Sequence, residues 1–221
     1  MELSIRLQNI ANQVDKRRIA DIGCDHGKLV AYLFENKKID YAFVTDISLP
    51  SVKKAVKILT DMSVGFDWAC GDGTEKITND HKIEEGIISG MGGLEIIKIF
   101  QNSTVEIKDW VLQPQNNEFS LKKYLIKNKY KIIKDFIVKD KNIYYNILRV
   151  QKSNKKQKIS DYHIMFGKEN FVENEYFSLY LDYLKSKLEK ILLVLPKFKK
   201  GKIKKQLKWV QKAQKELRNN G

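Results

Sequence analysis

Ile19-Ala20-Asp21-Ile22-Gly23-Cys24-Asp25-His26-Gly27 decides how this chain is read. The first four residues are apolar apart from one acid, the pattern of a strand buried on both faces. Gly23 follows, a residue free to turn sharply and to let a ligand approach the backbone. From residue 27 apolar side chains return at helical spacing as far as 36. A strand, a tight turn and a helix start in that order open a βαβ unit. The free N–H groups and positive potential of such a helix start favour ligand binding there.

The same alternation continues outward in both directions. Before it, Leu7, Ile10, Ala11 and Val14 predict a short amphipathic helix over 3–15. After it, residues 41–46 read as a second strand ending in Asp46, and Ser48 with Pro50 starts the next helix. A third strand is expected over 65–69, before Gly71-Asp72-Gly73. A fourth, 86–89, runs into Gly90-Met91-Gly92-Gly93 and a helix over 94–102. A fifth, 110–113, meets Pro114 and a helix near 118–128. Residues 131–139 and 143–150 close the pattern as an antiparallel pair. Strands alternating with helices predict an α/β fold, a Rossmann-like, mostly parallel sheet with helices on both faces. Ligands bind beyond the carboxyl ends of such strands, and every unusual residue in this part of the chain falls there.

Those residues favour one ligand chemistry over another. The phosphate-binding glycine fingerprint of nicotinamide enzymes is missing, and Asp25 stands at the ligand-facing turn instead. An acid there suits a ligand carrying an ammonium and a sulfonium, which points to S-adenosylmethionine and away from NAD. Asp46 can accept from two ribose hydroxyls. Asp72 can accept from an adenine amino group, with Gly73 leaving room for the base. Each residue has an ordinary use as well: Asp21 as a turn carboxylate, Asp46 as a helix cap, 71–73 as a simple turn. Their joint occurrence at one sheet edge favours the cofactor. The expected cofactor set is Asp21, Gly23, Asp25, His26, Gly27, Asp46, Ile47, Asp72, Gly73 and Gly90, with His26 supporting the loop.

The 221 residues carry a formal net charge of +14. Residues 1–150 hold 23 Lys and Arg against 20 Asp and Glu, whereas 151–221 hold 18 against 7. Excess positive charge confined to one end points to a polyanion partner. Two cysteines, Cys24 and Cys70, without zinc-like spacing, argue for neither a metal nor a disulfide framework. No apolar run approaches the roughly 20 residues that span a bilayer, and the N-terminus has no signal core. A soluble cytoplasmic protein without a membrane partner is expected.

Residues 151–160 are polar and basic and read as a linker between a domain at 1–155 and one at 156–221. Beyond it the period changes. Phe177, Leu181, Leu184, Leu188, Ile191 and Leu195 form a heptad seam, 196–201 break it, and Ile203, Leu207, Val210, Gln214 and Leu217 resume it. The pattern predicts an antiparallel helical hairpin, paired within one chain or between two. Lys199, Lys200, Lys202, Lys204, Lys205, Lys208 and Lys212 give it a basic face for phosphates. Any one of them reads equally as a solvated surface charge; the cluster carries the argument. Arg6, beside the sheet edge, is a further RNA-binding candidate.

Residues 21–26, 71–73, Ser89-Gly90-Met91-Gly92-Gly93, Leu112-Gln113-Pro114 and the opening 3–8 together resemble the bacterial tRNA (adenine-22-N1)-methyltransferases. That family pairs a class I methyltransferase domain with a coiled coil, so the resemblance spans essentially the whole chain. It implies methyl transfer from S-adenosylmethionine to N1 of an adenine in tRNA, by a protein expected to be monomeric. Gln113, Pro114, Asn116 and Met91 are then the expected catalytic set, the amides facing the adenine edge and Met91 packing on base or cofactor. An Asn is expected after Pro114, where this chain has Gln115 before Asn116, so which amide faces the base stays open. Competing functions are a methyltransferase for another RNA or a small molecule, and a non-catalytic RNA-binding protein on a relict fold. The localised charge opposes the small-molecule case, and the intact acids oppose the relict.

Overall fold

The computed structural model describes residues 2–173 and 176–220; Met1 and Gly221, the outer ends of the two expected domains, lie outside them. Five parallel strands form the centre: β1 (Arg18–Ile22), β2 (Tyr41–Asp46), β3 (Phe66–Cys70), β4 (Glu85–Met91) and β5 (Asp109–Pro114). The antiparallel pair β6 (Tyr130–Asp140) and β7 (Ile143–Lys152) completes a seven-stranded sheet in the order β3-β2-β1-β4-β5-β7-β6. Helices α1 (Ile5–Ala11), α2 (Lys28–Glu35), α3 (Leu49–Asp61), α4 (Gly93–Asn102) and α5 (Glu118–Lys127) flank it. Two apolar clusters cover its faces, one around Ile19, Val44, Leu59 and Ile87, the other around Ile22, Ile88, Ile96 and Leu112. Adjacent residues of β1 and β4 point into different clusters, which is why these strands read as continuous apolar runs.

The first helix is shorter than expected. It stops at Asn12, because the carboxylate of Glu85 captures the N–H groups of Asp15 (3.0 Å) and Lys16 (3.2 Å) and turns the chain toward β1. The expected linker is also shorter and is tethered. Its first two residues extend β7, and the Gln157 amide accepts from Ile132 N (2.9 Å) and donates to Ile132 O (3.3 Å), beside the irregularity in β6.

Two short helices follow that the periodicity did not announce, α6 (Asp161–Phe166) and α7 (Asn170–Glu173). They dock on a buried polar knot. Lys122 of α5 and Asp135 of β6, 2% and 3% exposed, pair at 2.8 Å, and Asn146 donates to the same carboxylate. Asn170 donates to Asp135 O and to Phe166 O, and accepts from Ile137 N. Helices α8 (Phe177–Val194) and α9 (Lys200–Asn220) then form the hairpin, closing Phe177, Leu181, Leu188, Val210 and Ala213 into a third core. Ala213 takes the buried place expected of Gln214, whose side chain instead donates to Asp182 on α8 at 2.7 Å. The seam is thus paired within the chain. Tyr144 of β7 packs on Tyr180 and Tyr183 and seats the hairpin against the sheet.

Candidate active site

A cavity of about 770 Å³ opens at the carboxyl ends of the parallel strands. Its walls come from the turns after β1, β2 and β3, the end of β4, the turn after β5, and one face of α4, with Arg6 and Leu7 reaching in from α1. Asp21, Gly23, Asp25, His26, Asp46, Ile47, Asp72, Gly73, Gly90 and Met91 all line it.

Asp21 sits deepest. It is 3% exposed, and burial together with the nearby charges of Asp46 and Asp25 pushes its carboxyl up to about 7. A buried acid in this state gains most from a cation brought into the cavity. Asp46 is anchored by backbone donors: Oδ2 accepts from Asp25 N (3.2 Å) and Oδ1 from Ser48 N (2.9 Å). Each oxygen retains a lone pair for a hydroxyl. Ile47, 75% exposed at the rim, offers an apolar platform for a base. Asp72 is exposed on the same rim. His26 Nε2 lies 2.8 Å from Lys54 Nζ and 3.6 Å from Asp25, a contact at the cavity mouth. This donor set fits a ligand with a cationic end, a ribose and an adenine.

One expected cofactor residue stands behind the site: Gly27 is absent from the cavity wall, and a side chain there would strike Ala55, so it brings α2 against α3. Gly73 lines the cavity beside Ile99, which a side chain at 73 would meet at 3.0 Å. Gly23, at φ +77°, faces Met91, whose methyl group a side chain would overlap. Met91 therefore bridges the β1 turn and the acceptor side. Burial pushes the Cys24 thiol up, which makes it a poor nucleophile at neutral pH.

The acceptor side differs more from expectation. Gln113 is fully buried with its amide engaged: Oε1 accepts from Arg6 Nη1 (2.7 Å) and Gly90 N (3.2 Å), and Nε2 donates to Pro114 O (2.9 Å). Pro114 is buried too, and neither residue lines the cavity. Asn116 is exposed, its Oδ1 accepting from Asn117 Nδ2, and its backbone oxygen receives Gly93 N. Of the amides after β5, the one lining the cavity is Gln115, held through its backbone N–H by Met91 O at 2.8 Å. Gly90 is the extra residue of a bulge between Ser89 and Met91, at φ +81°. Glycine tolerates that backbone, and the bulge turns its N–H toward Gln113.

The predicted RNA residues divide. Arg6 stands in the cavity wall. Lys199, Lys202, Lys204, Lys205, Lys208 and Lys212 are exposed on the hairpin and Lys200 is half-buried. Lys205 lies 4.9 Å from the Trp209 ring centre and Lys212 lies 4.5 Å from that of Tyr162, so their stems also cover aromatic surface.

This sheet order, with acids gathered at the strand ends, is that of a class I methyltransferase. The chain belongs to the methyltransferase-domain family, whose model matches residues 3–148. A Mycoplasma genitalium protein, provisionally named a tRNA methyltransferase, is 30% identical over 167 residues, 73% of this chain and 76% of its own length. The tRNA (adenine(22)-N(1))-methyltransferase of Bacillus subtilis is 28% identical over 155 residues, 67% of this chain and 64% of its own. Among solved structures, M. capricolum TrmK in complex with the cofactor product S-adenosyl-homocysteine superposes with a TM-score of 0.86 at 25% identity. That match covers 98% of this chain and 100% of the other.

Proposed function

We propose that this protein transfers the methyl group of S-adenosylmethionine to N1 of an adenine in tRNA, adenine 22. The observation that carries the reading is the buried Asp21 carboxylate facing a cavity whose rim also holds Asp46 and Ile47, in a chain related to the B. subtilis enzyme named for this reaction. S-adenosylmethionine, when bound, supplies a methyl already activated by a positive sulfur. Asp21 and Asp25 face its cationic end, Asp46 holds the ribose, Asp72 takes the adenine amino group and Ile47 packs on that base. Neutral adenine N1 has a free lone pair, so the chain need only align the two partners. Proximity and orientation can supply about 7–11 kcal/mol. Gly90, Met91 and Gln115 form the wall against which the acceptor base is held, while Gln113, Pro114 and Asn116 shape that wall from behind.

N1 lies on the pairing edge, so the target must be unpaired or flipped, at a cost of a few kcal/mol. The exposed hairpin lysines offset that cost by holding surrounding phosphates. The work divides between a methyltransferase domain at 1–155 and a basic helical domain at 156–221. The chain acts as a monomer, since its heptad seam is closed internally. No helix among the described residues is long and apolar enough to cross a membrane, and a tRNA substrate places the enzyme in the cytoplasm.

The test is methyl transfer from labelled S-adenosylmethionine to an unmodified tRNA transcript, followed by nucleoside analysis. 1-Methyladenosine is expected, and it should vanish when adenine 22 is replaced by guanine. Transfer that survives that replacement would overturn the position. No transfer by protein that binds the cofactor would overturn the substrate.

A further inference from the structure

We propose that Arg6 is the phosphate anchor for the nucleotide entering the acceptor end of the cavity, and that Gln113 is the positioning residue that aims it; this rests on the tRNA reading above. Arg6 belongs to α1, yet its guanidinium crosses to the end of β5 and donates Nη1 to Gln113 Oε1 at 2.7 Å. Gly90 N–H donates to the same oxygen at 3.2 Å, and Gln113 Nε2 donates to Pro114 O at 2.9 Å. Gln113 is 0% exposed, so its amide cannot turn to water. Reversing the amide would set its NH₂ against two donors and its oxygen against a carbonyl, so the partners fix its orientation. The backbone of Arg6 is held as well, its N–H donating to Asp140 Oδ2 at 3.1 Å, and the guanidinium carbon lies 5.5 Å from the Tyr145 ring centre.

A guanidinium has five N–H donors. Gln113 uses one, and the others meet no acceptor among the described residues while the side chain lines the cavity beside Gly90. A cation held this firmly in a partly buried wall calls for an anion. The adenine pairing edge matches it poorly, because that edge presents a donor amino group beside N1 and becomes cationic on methylation. A phosphodiester offers paired acceptor oxygens and a negative charge, the geometry a guanidinium fork fits best. The opposite end of the cavity, with Asp21, Asp46 and Asp72, is closed to a phosphate by its own charge.

Arg6→Ala, Arg6→Lys and Gln113→Glu in the full chain test this, with cofactor affinity, tRNA KM and kcat, and direct tRNA binding measured from about 50 to about 200 mM salt. Arg6→Ala should raise tRNA KM and Kd about tenfold or more, lower the salt slope by about one, and leave cofactor affinity unchanged. Arg6→Lys should restore the slope and only part of the affinity, since it keeps the charge and loses the fork. Gln113→Glu still accepts from Arg6 and Gly90 but neutralises the guanidinium, so it should reproduce the Arg6→Ala loss. A purely structural strap predicts otherwise: Gln113→Glu with wild-type tRNA binding and, since its second oxygen now opposes Pro114 O, a lower melting temperature. Wild-type KM and salt slope in Arg6→Ala and Gln113→Glu would overturn the proposal, as would a loss confined to kcat. Should Arg6→Ala not fold, Gln113→Glu decides alone. Should the wild type bind tRNA but fail to methylate it, the function reading falls, while the binding arm still judges Arg6.

Discussion

The cavity rim and the outer face of the hairpin carry opposite charges for different physical reasons. At the rim, Asp21, Asp25, Asp46 and Asp72 crowd the strand ends, and Asp21 is held in a state that costs free energy until a cation arrives. Along the hairpin, residues 190–215 contain ten lysines and no acid, nearly all of those lysines exposed. The rim depends on a few placed groups: Asp46 is held by two backbone donors, and Asp21 is buried where salt screens poorly. The hairpin depends on a sum over interchangeable groups in water, where ions of the solvent compete directly. In the proposed tRNA reading one region confers geometry and the other adhesion, and their responses to mutation, salt and pH should diverge.

The largest expected effect lies at the joint between them. Lys122→Ala strands the buried Asp135 carboxylate and should cost about 3–5 kcal/mol, read as a lowered thermal midpoint; a change under about 1 kcal/mol would show that the buried pair does not hold α6 and α7 on the sheet. Next is salt. With about six hairpin lysines on phosphates, raising salt from about 50 to about 200 mM should weaken tRNA binding roughly a thousandfold. S-adenosylmethionine affinity should barely move, and a parallel loss in both would erase the contrast.

The third effect is in pH. Asp21 is raised to about 7 in the fold, so its contribution to apo-protein stability is full below its unfolded value near 4 and is lost as pH rises through 7. A cationic ligand prefers the ionised carboxylate. Cofactor affinity should therefore tighten as pH rises toward 7, by up to about tenfold per unit, and level off above it. Asp21→Asn should bind weakly with no such dependence, and should stabilise the apo protein at pH 8. Calorimetric titration across that range checks both. Smallest is Asp46→Ala, which should weaken cofactor binding by about 1–3 kcal/mol and leave tRNA binding intact; unchanged cofactor affinity in folded protein would move the ribose elsewhere.

How much of this could be read from the sequence follows the range of the interactions. The central strands were legible because burial on both faces leaves continuous apolar runs, as in 19–22 and 86–89, and the acids at their ends announced the cavity. The hairpin was legible through its heptads. Helices α6 and α7, of six and four residues, are too short to show a period, and their docking depends on Asn170 reaching Asp135 across 35 positions. Lys122 resembles any surface lysine until Asp135 is found beside it. Gln113 was expected at the base edge, because an amide at the end of the fifth strand, in a stretch resembling the family, can offer both donor and acceptor. Only Arg6, 107 positions away, reveals where its oxygen points. Gln115 registered as a departure from the family pattern, and the structure turns that departure into the amide on the cavity wall. Gly27 was assigned to the ligand since a glycine beside a site looks the same whether it makes room for a ligand or for Ala55.

The knot of Lys122, Asp135 and Asn170 docks α6 and α7 against the sheet. Helix α8, packed through Tyr180 and Tyr183 on Tyr144 of the sheet, runs 18 residues, about 27 Å at 1.5 Å per residue. In the tRNA reading, the basic arm and the cavity then work as the two jaws of a caliper set to one opening. An RNA whose accessible adenine stands at another distance from its backbone cannot fill both jaws at once. The choice of nucleotide becomes a measurement of length, made by a protein that need not read the neighbouring bases.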